Sequence, residues 1–252
     1  MPQEELTPAT GIVIVGSGIK VPAQLTIEAV AALEHSSEIW TNLPEPEHAE
    51  LVQHIGRGVN SLWPFFHSDR PRIDNYRDIV AHIISRAACL PSVAYLTQGH
   101  PLVLDKVTTE LLRHGQQAGI AVSVLPGISS LDTILADVQY EPARGLQIFD
   151  ATNFVRAGLA VDARAGLLLL QPGVFGIDTP RTTSDAPPPD IGPLRDVLCK
   201  IYPPGHPAIL VRSATASMKA RQFPTTVGGL TSVPPAMLTW STLWIPPADN
   251  GS

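Results

Sequence analysis

The first 125 residues alternate short β-branched runs with longer stretches of helical apolar spacing, and that alternation limits the fold more than any other feature. GIVIVG (11–16) closes on glycine, LTIEAVAALEHS (25–36) carries good helix formers, and EIWTNL (38–43) reads as the next strand. Further along, NYRDIVAHIISRAACL (75–90) predicts a helix, SVAYLT (92–97) a buried strand, KVTTELLRHGQQAG (106–119) a helix ended by glycine, and IAVSVL (120–125) another strand. Strands separated by helices need crossover connections, so a mainly parallel sheet with helices on both faces is expected. From residue 146 the pattern changes to strand-like runs with fewer helices between them: LQIFDA, GLLLLQP, PAILVRS and MLTWSTLWIPP. This predicts a second α+β lobe with a more antiparallel sheet, and places a boundary near Pro126, giving lobes 1–125 and 126–252. No internal repeat is visible.

Composition narrows the function classes. Of 252 residues, 44% are hydrophobic, enough for one large or two small cores. The net charge of −6 advertises no basic face, which disfavours a nucleic-acid partner. No apolar run reaches the length of a membrane span, and MPQEELTPAT lacks the basic and apolar regions of a secretion signal, so no membrane partner and a cytoplasmic location are expected. Cys89 and Cys199 stand alone, with no CxxC spacing and no His pair at metal-ligand spacing. Both are expected to be buried, reduced thiols, and no metal site is expected. DTPRTTSDAPPPDIGP (178–193) concentrates breakers and is expected to be a surface loop.

Taken singly, the chemistry-bearing segments say little. GSG at 16–18 follows a strand, but GxGxxG fails because position 21 is Val and Pro22 follows, even though Glu38 lies about where an acidic partner would stand. A tight turn needing glycine explains it as well as a phosphate site does. No Lys-Ser/Thr follows, which excludes a P-loop, and GxSxG is absent, which removes support for a hydrolase elbow. His100, between Gly99 and Pro101, has no ligand-spaced neighbour and reads first as a turn residue making an ordinary hydrogen bond. Ser129 and Ser130 follow Pro-Gly-Ile and can simply cap a helix.

Their order along the chain says more. GIVIVGSG, YLTQGHPLVL and LPGISSLD in succession resemble the tetrapyrrole methylase superfamily, class III methyltransferases with two lobes and S-adenosylmethionine in the cleft between them. RIDNYRDIV (72–80), LQIFDATNF (146–154) and STLWIPPA (241–248) make the chain most similar to the borosin-type peptide backbone α-N-methyltransferases. The resemblance covers residues 11–248. It implies a two-lobed α/β fold, a mainly parallel N-terminal sheet and a mixed C-terminal lobe. It also implies a cofactor lined by Gly16, Gly18, Tyr95, Thr97, Gly99, His100, Pro101, Leu102, Val103, Ser129 and Ser130, with Thr242 facing the adenine from the second lobe.

Methylating a backbone amide is difficult because its N–H is barely acidic and its lone pair is delocalised into the carbonyl. The resemblance assigns Arg72 to the developing oxyanion and Tyr76 to the proton; four residues apart, they share a helix face. By spacing alone, an Arg packed along a Tyr ring is the simpler reading. A guanidinium beside a phenol is expected to lower its pKa and ready it as a base. The family carries a further tyrosine before the arginine, and Phe66 occupies that position here; a phenyl ring neither accepts nor relays a proton. Either Tyr76 alone suffices, or His67 shifts into place, or the enzyme is slow or altered in substrate. Fungal members carry their substrate as a C-terminal extension, whereas this sequence ends at IPPADNGS. The resemblance therefore implies a separate precursor peptide, bound by a homodimer or by a heterotetramer with the precursor. A precorrin- or uroporphyrinogen-type C-methyltransferase is the alternative, favoured by the group Arg70, Arg72 and Arg77. A catalytically silent homologue that only binds cofactor or peptide is the second alternative.

Overall fold

A computed structural model describes residues 10–179 and 188–248. In chain order the elements are β1 (Gly11–Gly16), α1 (Ile27–His35), β2 (Glu38–Thr41), α2 (Glu45–Ile55), β3 (Asn60–Ser61), α3 (Arg72–Cys89), β4 (Ser92–Thr97), α4 (Lys106–Ala118), β5 (Val122–Leu125) and α5 (Ser130–Val138). They continue with β6 (Leu146–Asp150), α6 (Ala151–Arg156), β7 (Gly166–Leu170), α7 (Gly192–Leu198), β8 (Pro207–Arg212), β9 (Arg221–Thr226), α8 (Pro235–Leu238) and β10 (Thr242–Ile245). The chain forms two compact units: one runs to Ser130 and takes in Thr215–Ser217, and the other comprises Leu131–Ala214 with the residues from Met218 onward.

In the first unit, five parallel strands lie in the order β3-β2-β4-β1-β5. Because side chains alternate across a strand, each central strand feeds two cores. Ile12, Ile14, Val93 and Tyr95 face one way, beneath Ile79 and Ile83 of α3 and Val107 and Leu111 of α4. Val13, Val15, Ala94 and Leu96 face the other, beneath Ala29 and Leu33 of α1 and Leu51 of α2. Burial on both faces makes these strands read as continuous apolar runs, and each fully buried Ile or Leu contributes about 1.5–3 kcal/mol.

The second unit holds a five-stranded sheet in the order β6-β7-β10-β8-β9; β6 and β7 run parallel and the other neighbours antiparallel. Leu167, Leu169, Leu210 and Leu243 pack beneath α6 and α7, while Leu168, Val211 and Trp244 pack on Ile134 of α5. Pro224 lies within β9, an edge strand, where a residue lacking an N–H is tolerated.

Three expectations need correction. Cys89 is exposed and Cys199 half-buried, and both are free thiols. Cys89 ends α3, off the stripe of Ile79, Val80, Ile83 and Ala87 that faces the core. The strand expected across MLTWSTLWIPP is only Thr242–Ile245; Pro234 and Pro235 open α8 instead, and Trp240 turns the chain at a φ of 59°. β9 was not anticipated. Of the breaker-rich loop, residues 180–187 lie outside the described residues.

Candidate active site

Parallel strands all end on the same edge of a sheet, so the loops leaving β1, β4 and β5 meet there. Ser17 donates its N–H to Thr97 O at 2.9 Å, and Gly18 and Gly99 exchange backbone hydrogen bonds of 3.3 and 3.0 Å. A Cβ added to Gly16 would sit 2.6 Å from both Gly127 N and Gly99 O, and one added to Gly127 would sit 2.4 Å from Gly99 O. Three backbones therefore pass closer than any side chain allows. Gly18 and Gly99 also adopt φ of 70° and 74°, a region that favours glycine.

This junction gathers Gly16, Gly18 and Gly99, with buried Ser129 beside Gly99 and Ser130 opening α5. The imidazole Nδ1 of His100 accepts the N–H of Leu102 at 3.1 Å, and its carbonyl accepts that of Val103 at 2.9 Å, so His100 builds the turn after β4. Pro101 is buried there, Val103 is half-buried, and Leu102 is 54% exposed. Thr97 is buried at the end of β4. Tyr95 is placed differently: its ring is fully buried in the core beneath α3 and α4, not presented at the strand end. Thr242 belongs to the second unit, where it opens β10 and pairs with Val211.

The expected catalytic residues lie at the start of α3. Asn75, fully buried, donates to the His67 carbonyl at 2.9 Å, while Arg70 donates to Asn75 Oδ1 and, at 2.6 Å, to Asp78. This brace fixes the loop entering the helix and leaves His67 exposed. Phe66 stands edge-on to Tyr76 with ring centroids 6.4 Å apart, and Trp63 packs on Phe66 at 5.1 Å. Arg72 acts electrostatically on Tyr76 from one helical turn away. The expected lowering of the phenol's pKa does not occur. Burial pushes Tyr76 above its ordinary value; Arg72 opposes this, and Asp105 adds to the rise.

The buried Tyr95 joins two residues that the sequence analysis did not single out, Asn42 and Asp105. The Tyr95 hydroxyl donates to Asp105 Oδ2 at 2.9 Å and accepts from Asn42 Nδ2 at 3.2 Å. Asp105 Oδ1 caps α4, accepting the N–H groups of Val107 and Thr108. An Asp directly before a helix was the available signal for Asp105; nothing local marks Asn42.

Three comparisons bear on this arrangement. The family model for Tetrapyrrole (Corrin/Porphyrin) Methylases matches residues 11–231. Among curated proteins, the methyltransferase/ribosomally synthesized type III borosin cyclic peptide precursor of Anomoporia bombycina is 27% identical, over 79% of this chain and 23% of its own length. The omphalotin A precursor of Omphalotus olearius is 25% identical over 68% of this chain and 41% of its own. The type I borosin precursor of Serendipita vermifera subsp. bescii is 25% identical over 95% and 59%. The chain thus spans less than two-thirds of the length of these curated relatives. Among solved structures, the methyltransferase CobJ superposes with a TM-score of 0.65 at 16% identity, covering 95% of both chains. Uroporphyrin-III-C-methyltransferase from Thermus thermophilus does so at 0.63 and 20% identity, covering 94% of this chain and 92% of its own. The fold these structures share, with a family match running from β1 to beyond β9, means that the chain belongs to the tetrapyrrole methylase family of methyltransferases.

Proposed function

We propose that the chain is an S-adenosylmethionine-dependent methyltransferase that N-methylates backbone amides of a separate ribosomal precursor peptide. What carries the reading is Tyr76, a phenol enclosed by the Phe66 ring and α3, with the Arg72 guanidinium one turn before it. The curated relatives, named as methyltransferases joined to cyclic peptide precursors, support the substrate class.

The glycine junction fits the cofactor, because it presents bare backbone at a ligand-binding sheet edge where a Cβ would already collide. Gly16, Gly18, Gly99, His100, Pro101, Leu102, Val103, Ser129 and Ser130 would hold it, with Thr97 backing the strand end. When bound, the cofactor supplies an electrophilic methyl group. Tyr76 takes the amide proton: the N–H bond breaks, its electron pair stays on nitrogen, and the phenolate oxygen is protonated. Arg72 holds the imidate oxygen as negative charge moves onto it. Burial makes the Tyr76 phenolate scarcer but more basic, so turnover should rise with pH well into the alkaline range.

A polycarboxylate tetrapyrrole would need spare cations, yet Arg70, just before α3, pairs with Asp78 at 2.6 Å, and Arg77 pairs with Asp74 within α3 at 2.8 Å. The test is tandem mass spectrometry of a short peptide encoded beside the gene, after co-expression with the chain. Methyl increments on backbone nitrogens support the proposal. An unmodified peptide, with S-adenosylhomocysteine retained by the protein, overturns the peptide substrate. The same preparation tests oligomeric state by light scattering, for which a homodimer, or a heterotetramer with the peptide, is expected.

A further inference from the structure

We infer that Gln24, in the loop between β1 and α1, is a positioning residue for the cofactor: its carboxamide oxygen holds that loop in the shape that lets Gly18 bridge to Gly99. The inference rests on the reading above that the glycine junction takes S-adenosylmethionine, and extends it to a side chain outside the junction.

Gln24 Oε1 accepts two consecutive backbone donors, the N–H groups of Ile19 at 2.9 Å and of Lys20 at 3.0 Å. Successive N–H groups that converge on one point form a concavity for an electron-rich atom, and here the carboxamide oxygen fills it. The backbone N–H of Gln24 donates to the Lys20 carbonyl at 2.9 Å, so the residue closes the loop through main chain and side chain together. Its stem lies against Gly18: a Cβ added to Gly18 would sit 2.4 Å from Gln24 Cβ.

Two contacts carry this clamp into the junction. Through the backbone, the Gly18 carbonyl accepts the Gly99 N–H at 3.0 Å and the Ser17 hydroxyl at 2.8 Å, while the Gly18 N–H donates to the Gly99 carbonyl at 3.3 Å. Through packing, Ile19 is buried, and its Cγ2 would lie 3.5 Å from a Cβ placed on Gly99. Ile19 is thus held by Gln24 on its amide and faces Gly99 with its side chain. Residues 19 and 20 cannot shift without displacing Gly18 and, across the bridge, the turn after β4. A site made of bare backbone has few side chains to re-aim, so its geometry depends on what braces the chain. Bracing before the ligand arrives also removes an ordering cost from binding.

The probe is S-adenosylhomocysteine, whose uncharged sulfur keeps the comparison of variants free of a sulfonium's attraction to added negative charge. Gln24→Met keeps the unbranched stem against Gly18 but removes the oxygen, whereas Gln24→Glu retains an oxygen that both N–H groups can reach. Gln24→Met should weaken S-adenosylhomocysteine binding in calorimetry by roughly tenfold. It should also speed hydrogen exchange at the Gly99 amide, whose partner is Gly18 and not Gln24. Gln24→Glu should bring both measurements back to those of the unaltered protein. Unchanged affinity in Gln24→Met, even with a lower melting temperature, overturns the inference and leaves Gln24 as an ordinary loop brace. Gln24→Glu binding as weakly as Gln24→Met overturns it too, because the oxygen would then have no part. An unaltered protein that binds no S-adenosylhomocysteine overturns the cofactor reading itself, and the inference with it.

Discussion

The two sheets have five strands each but differ in where the strand ends point. In the parallel sheet, β1, β4 and β5 finish together, so turns far apart in sequence converge as the Gly16, Gly99 and Gly127 junction. In the mixed sheet, β8, β9 and β10 alternate in direction, so their ends do not gather at one edge. Gly166 shows the contrast: a Cβ there would meet the Trp244 ring at 2.4 Å, not another backbone. The edge where β1, β4 and β5 finish thus gathers three close backbones, whereas Gly166 in the mixed sheet makes room for a ring.

The largest effect that would sharpen this comparison is at Tyr76. Tyr76→Phe keeps the ring against Phe66 and should lower methylation by roughly 100-fold or more, with S-adenosylhomocysteine binding by calorimetry unchanged. Retained turnover would remove Tyr76 from the chemistry. In the second sheet no comparable loss of turnover per unit stability is expected. Leu169→Ala, at a fully buried position, should cost about 2–5 kcal/mol in urea denaturation through the cavity it leaves. A paired glycine experiment comes next. Gly16→Ala and Gly166→Ala should each cost about 1–3 kcal/mol from overpacking, but only Gly16→Ala should weaken cofactor binding. Equal binding losses would break the distinction between the two edges.

Smaller effects refine the site. Phe66→Tyr puts a hydroxyl beside Tyr76 and should speed single-turnover methylation several-fold; an unchanged rate would deny that position any part in proton transfer. The smallest concerns Glu110, whose carboxyl is held at about 2 by hydrogen bonds from Lys106 and Arg113. A depressed carboxyl stabilises the fold above its ordinary value of 4.5, and that contribution fades as pH falls toward about 2. Glu110→Gln should therefore lower the melting temperature slightly at neutral pH, by a difference that shrinks away as pH falls from about 4.5 toward about 2.

Much of the first unit was legible because hydrophobic periodicity marks buried parallel strands: GIVIVG and SVAYLT appear as β1 and β4 at the expected positions. Edge elements were less legible. RQFPTT carries a proline and alternates in exposure, so nothing in its composition announced β9. The closeness of Phe66 to Tyr76 followed from a resemblance, but the ionisation of Tyr76 depends on how deeply α3 is buried and on Asp105, twenty-nine residues downstream. Asn42 and Tyr95 meet because β2 and β4 are neighbours in the sheet, a relation that local pattern does not encode. The glycine junction was half visible: Gly16, Gly18 and Gly99 lay in readable motifs, while Gly127 shows its role only through the backbones it touches.

The proline in β9 has a consequence for the molecule in a crowded solution. An exposed strand edge is a template on which a neighbouring chain can add a strand, and repeated addition yields fibrils. With Pro224 in the middle of β9, that edge lacks one donor of the regular ladder an incoming strand would need. Pro224 thus makes that side of the second unit a poorer template for polymerisation.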